Sequence, residues 1–147
     1  MSLRPIALTL TCAAALAACG GDDRLSADEY REQGNEACKA YEQRLGELSQ
    51  PSSLEDVPGY ADDAQAELTE LIDTLDELQP PDDLEQKHNE LVRVGRQSVD
   101  ALGDLSAAGE SGEQEEVQKV LRDAARLDQR SDELSRSLGL TACADES

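Results

Sequence analysis

The chain has 147 residues, enough for one domain, and carries 33 acidic against 13 basic side chains for a formal charge of −20. Such a surface repels nucleic acid, which binding proteins approach through Lys and Arg, and it repels anionic lipid headgroups. Three Tyr with no Phe and no Trp leave Leu, Ala and Val to build a core, which suits packed helices better than aromatic-rich strands. An acidic, aromatic-poor composition is also the signature of disorder, so the hydrophobic periodicity decides between the two.

The chain opens on Met1-Ser2-Leu3-Arg4-Pro5 and continues uncharged from Ile6 to Ala18. One basic residue, a short apolar run and small residues at its end make a secretory signal peptide. The run is too short to span ~30 Å of hydrocarbon as a helix, and no second apolar segment follows. Its end, Leu16-Ala17-Ala18-Cys19, resembles the lipobox of bacterial lipoprotein precursors. In that family the cysteine thiol receives a diacylglyceryl group and a peptidase cuts just before it. The resemblance implies that Cys19 is the lipidated first residue of an extracytoplasmic, membrane-anchored protein. An ordinary signal peptide cut near Ala18 is the competing reading. Two acyl chains anchor stably at ~0.8 kcal/mol per buried CH₂, enough to hold an acidic domain against repulsion. The expected segments are a signal peptide over 1–18, a lipid tether over 19–25, a helical bundle over 26–143 and a loose tail over 144–147.

Cys12 lies inside the leader. With Cys19 lipidated, Cys38 and Cys143 remain, and export to an oxidising compartment makes them a disulfide pair. Two free thiols are the alternative.

Four stretches carry a helical period. Ser26 and Glu29 form a capping box that opens the first, to Leu48, with Tyr30, Gly34, Ala37, Cys38, Tyr41, Leu45 and Leu48 facing inward. Gln50-Pro51-Ser52-Ser53 breaks the chain. The second runs from Pro58 to Leu78 with its stripe at Ala61, Ala64, Leu68, Leu71, Ile72, Leu75 and Leu78. Pro80-Pro81 opens the third, which is expected to end near Leu105 before a Gly109–Gly112 loop. Ser111 and Gln114 offer a second capping box for the fourth helix, ending at Leu138. Its stripe is Val117, Val120, Leu121, Ala124, Leu127, Leu134 and Leu138, with Asp128 and Ser131 weakening the seam. Gly139 suits the residue after a helix end. Short loops between helices of similar length predict an all-α, antiparallel up-down four-helix bundle. That topology brings the end of helix 4 beside the start of helix 1, where Cys143 must reach Cys38. The whole pattern resembles small actinobacterial lipoproteins of unknown function, which end as Gly139-Leu140-Thr141-Ala142-Cys143 does here. That resemblance implies the architecture and no activity.

No residues stand out as catalytic, and no cofactor or metal is expected. Glu85-x-x-His88 has the spacing that di-iron bundles use, but those sites need a second such pair and the chain has one His. It reads instead as a half-exposed polar pair near a helix start. Nucleophile elbow, P-loop and dinucleotide fingerprints are missing. Lys119, Arg122, Arg126 and Arg130 fall on one side of helix 4. They read either as an anion-binding stripe or, by preference, as partners of acids on neighbouring helices. Helix 2 has no basic residue. Its acidic face, with Asp63, Glu67, Glu70 and Glu77, is the candidate surface for an envelope protein with a basic patch.

The leading expectation is therefore a non-enzymatic helical module that binds another envelope protein near the membrane and has no large cavity. The alternative is a carrier of a lipid or other apolar ligand, which needs a gap in the core near small residues such as Gly34, Gly95 and Ala124.

Overall fold

The computed structural model describes residues 24–144. The leader, Cys19, the tether up to Asp23 and the tail after Ala144 lie outside the described residues. Within them the chain forms α1 (Ala27–Glu47), a 3₁₀ turn (Leu54–Asp56), α2 (Val57–Asp76), α3 (Asp82–Ser111), α4 (Gln114–Leu138) and a second 3₁₀ turn (Thr141–Cys143). The four helices pack antiparallel in chain order, as an all-α bundle.

Local chemistry sets most of the boundaries. The Ser26–Glu29 capping box forms, with Glu29 N–H on Ser26 Oγ at 3.3 Å and Ser26 N–H on Glu29 Oε2 at 3.0 Å. At the other end of α1, Asp56 accepts from the backbone and hydroxyls of Ser52 and Ser53, a cap that the sequence reading passed over. Those bonds hold the Asp56 carboxyl below its ordinary value.

Four expectations are corrected. First, α3 runs to Ser111 rather than stopping near Leu105. Gly109 is a helical residue at a close approach: a Cβ there would meet Pro58 Cδ at 2.9 Å, so a side chain would push α2 and α3 apart. The stop is Gly112, whose φ of 71° is left-handed backbone that glycine adopts without strain. Second, Ser111 does not cap α4. Its hydroxyl closes α3 by donating to Ala108 O at 2.7 Å, and it accepts from Glu113 N–H at 3.2 Å. With only two residues between the helices, Ser111 is still held by the helix it ends. Third, Arg24 and Leu25 belong to the folded body rather than to a free tether. Leu25 N–H bonds Gln79 O at 2.8 Å, and Arg24 reaches Pro80 O, Asp82 and Glu85 around the α2–α3 turn. At the far end Ala144, expected in the loose tail, is buried.

The core has two parts. The larger joins all four helices and the C-terminal turn around Tyr30, Ile72, Leu75, Leu91, Val94, Leu138 and Leu140. The smaller lies at the opposite end, where Ala61, Leu105, Ala108 and Val117 pack without a residue from α1. With α1 absent from this cluster, the end has three walls. Leu121, expected inside, is consequently 50% exposed.

The C-terminal segment is woven into α1. Gly34 makes room for Leu140, whose Cδ2 would lie 2.6 Å from a Cβ at that position. Asn35 clamps the turn with both ends of its amide: Nδ2 donates to Arg31 O at 2.7 Å and to Gly139 O at 3.1 Å, and Oδ1 accepts from Ala142 N–H at 2.8 Å. Arg31 Nε adds a bond to Leu138 O at 3.3 Å. Cys38 and Cys143 are joined in this region, with Cα atoms 5.1 Å apart across a sequence separation of 105.

Candidate functional site

α2 packs tightly on α3, and α3 on α4; α1 packs on α2 and on the C-terminal turn. The α1–α4 seam is the one left open, and a cavity of about 260 Å³ fills it. Its apolar floor is Leu71, Ile72, Leu75 and Leu91, all buried. α1 contributes Cys38, Tyr41 and Leu45, and the segment Ala142–Ala144 closes one end, so the disulfide is part of the wall.

The α4 wall is polar. Asp128, Ser131, Asp132 and Ser135 line it, and their spacing of three, one and three puts them on one helix face. Ser135 is fully buried, and its hydroxyl has no hydrogen-bond partner. A buried hydroxyl left unpaired costs about 1–3 kcal/mol, and native proteins hold few such groups. Ser98 of α3 and Ser137 of α4, by contrast, spend their hydroxyls on the backbone carbonyls of Val94 and Leu134. Across the cavity, burial and then the charges of Tyr60, Asp128 and Glu67 push the Tyr41 phenol up to about 12. It therefore keeps its proton at neutral pH.

Sequence reasoning noted Asp128 and Ser131 as flaws in the helix 4 stripe and missed Ser135. The signal was present in the same spacing, one turn further on. Of the small residues proposed to flank a gap, Gly95 lines the cavity, although Ile72 Cδ1 fills the space directly over it. Gly34 is filled by Leu140, and Ala124 lies elsewhere.

His88 is corrected outright. It is 2% exposed, not half-exposed. Its Nδ1 shares a 3.1 Å hydrogen bond with Tyr30 Oη, and the two rings meet edge to face at 5.6 Å. Leu84, His88 and Leu91 follow helical spacing, which placed His88 on the inward stripe. Burial lowers its pKa against the raising influence of Asp76 and Glu85.

The acidic residues of α2 divide. Glu67 and Glu70 both pair with Arg44 of α1, while Asp63 and Glu77 are exposed. On α4, Arg130 reaches across to Glu90 of α3 at 2.6 Å and also meets Glu133. Arg126 pairs within its own helix, with Asp123. Two of the four cations in the stripe, Arg126 and Arg130, are thus taken up by acids. Among the described residues no group of three or more His, Cys, Asp or Glu side chains is arranged to hold a metal ion. None of the helices described is long and apolar enough to cross a membrane.

The fold and site together define a four-helix bundle with a lateral cavity. No protein-family model, curated protein or solved structure matches the chain.

Proposed function

We propose that this protein is an extracytoplasmic lipoprotein, anchored by a diacylglyceryl group on Cys19, whose helical domain holds a small, largely apolar ligand between α1 and α4. The observation that carries the ligand reading is the cavity with Ser135 unpaired in its wall. A cavity of roughly 150 Å³ already accepts benzene when its lining is apolar, and this one is about 260 Å³. Its size fits one short chain or ring system, not a whole two-chain lipid. The lipobox-like Leu16-Ala17-Ala18-Cys19 supports the anchor. Because Arg24 is docked on the α2–α3 turn, only Gly20–Asp23 would separate lipid from domain, at most ~14 Å of chain. The domain would then stand with its α2–α3 turn toward the membrane.

Docking of a basic envelope protein on α2 is a second reading, favoured by the exposed Asp63 and Glu77. It leaves the cavity and the orphaned hydroxyl without a role, which places it second.

Native mass spectrometry of the protein purified from its own membranes tests the proposal. The expected mass is that of the chain cut before Cys19, plus diacylglyceryl, less two hydrogens for the disulfide, with a small-molecule adduct. Ser135→Leu, which fills the cavity, should remove the adduct. Ser135→Ala should weaken retention while stabilising the empty protein by about 1 kcal/mol, since it deletes an unpaired buried hydroxyl. An unlipidated soluble chain would overturn the anchor. An adduct indifferent to both substitutions would overturn the site.

A further inference from the structure

We propose that this protein pairs with a second copy of itself through the N-terminal half of α4, the two helices lying antiparallel with Leu121 of each seated on the other. The inference is independent of the cavity and uses the end of the bundle that α1 does not cover. Among the described residues Leu121 is the one large hydrophobic side chain that is exposed. It borders a groove between α4 and the α1–α2 connection, walled on the far side by Pro51, Leu54 and Val57. No charged side chain lines that groove, although the chain carries −20. Its α4 side is Gln114, Val117, Gln118 and Leu121. Their spacing of three, one and three is that of the four residues that make a hole for an incoming knob where two helices pack.

A second α4 supplies both the knob and matching charge. From Gln114 to Arg126 the helix is balanced, with Glu115, Glu116 and Asp123 against Lys119, Arg122 and Arg126. An acidic molecule repels its own copy least where its surface is neutral. Glu115 and Arg122 are exposed, and neither joins an ion pair among the described residues. Seven positions apart, they stand two turns from each other on one flank of the groove. In an antiparallel pair with Leu121 over the facing hole, that flank meets itself. Glu115 of each copy then lies opposite Arg122 of the other, and the two-fold makes the match twice. A parallel pair would set each residue level with its own counterpart and leave no such cross-match. The α2–α3 turns of the antiparallel pair point to opposite ends, so copies anchored on one bilayer leave their standing orientation to form it.

The test uses the full mature chain, residues 19–147, with Cys19→Ser to remove both the lipid and a free thiol. Sedimentation equilibrium at neutral pH and about 0.15 M salt, where repulsion between the acidic bodies is screened, should show monomer and dimer in equilibrium. Glu115→Arg and Arg122→Glu, each alone, should weaken the dimer about tenfold, because each turns two attractions into two repulsions. Combined in one chain they should restore it, and the two single variants mixed together should pair with each other. Leu121→Asp should leave a monomer with its helical signal intact. A chain that stays monomeric up to ~1 mM, or a dimer that survives Leu121→Asp, overturns the inference. So does indifference to the charge variants, or a loss that neither the double variant nor the mixture repairs. If Leu121→Asp unfolds the chain, the charge variants, at exposed positions, decide.

Discussion

Two buried polar residues of this bundle are handled in opposite ways. His88 is satisfied by Tyr30, so it stiffens the core and has no spare valence on that nitrogen. Ser135 is left unsatisfied beside empty space. The first reads as structure and the second as function, although the sequence shows both as polar residues on an inward face. His88 also predicts a pH dependence. Its folded pKa lies below the ordinary 6.5 because burial penalises the charged ring. The unfolded imidazole therefore takes up a proton more readily. The stability this contributes is present above pH 6.5 and is lost as pH falls from there through the lowered folded value. His88→Gln keeps a hydrogen-bonding group for Tyr30 and does not titrate. Urea midpoints compared at pH 7 and pH 5 should show a shallower acid loss in the variant. An unchanged slope would place the loss elsewhere. The carboxyls held low by hydrogen bonds and ion pairs, Glu29, Asp56 and Glu90, act in a separate window below their ordinary 4.5, 3.8 and 4.5.

At the scale of elements, α4 does two jobs with one face. Near its ends Val117, Leu134 and Leu138 are buried in the two core clusters. Alongside them, Asp128, Ser131, Asp132 and Ser135 make a polar wall that does not seal against α1, and the seam opens there. The C-terminal turn closes that opening at one end, held by Asn35, Leu140 and the Cys38–Cys143 bond. A cross-link over a loop of this size stabilises by about 2–5 kcal/mol. Replacing both cysteines with serine should cost that much, read as a lower guanidinium midpoint with the helical signal intact. Because the bond is also part of the cavity wall, the same variant should hold the adduct less well. A midpoint equal to wild type would show that Asn35 and Leu140 suffice to seat the turn.

Across the whole molecule the acidic charge has separable parts. Some of it is consumed internally, as in Arg44 with Glu67 and Glu70 and Arg96 with Asp76. Some surrounds the cavity mouth. Asp63 and Glu77 stand apart from both. Reversing those two, with Asp63→Lys and Glu77→Lys, should therefore leave retention of the small-molecule adduct unchanged, since neither residue lines the cavity and exposed charges are screened over ~10 Å at 0.1 M salt. The same variant should lose any basic protein partner captured by pull-down from an envelope extract. Loss of the small ligand with the partner retained would invert the assignment of the two surfaces.

Periodicity, caps and loop lengths are local properties, and they made the four helices, their antiparallel order and the Ser26–Glu29 box readable from the residues alone. The stripe of α2 needs no tertiary knowledge, because a 3.6-residue period with acids opposite admits one buried face. What contacts decide was not readable in the same way. Gly109 looks like a loop glycine until the closeness of Pro58 shows that α3 must pass it. Leu121 looks buried until the absence of α1 from that end leaves it with three walls. His88 becomes a core residue only when Tyr30 is beside it. The candidate site was half visible: Asp128 and Ser131 stood out as polar interruptions, but an interruption in a stripe can be a solvated edge or a cavity wall. The sequence by itself determined the class of fold, because helix formation and amphipathic burial depend on spacing along one chain segment. Only the tertiary structure decided where the bundle fails to close, because a void is a property of what four separate segments leave unfilled.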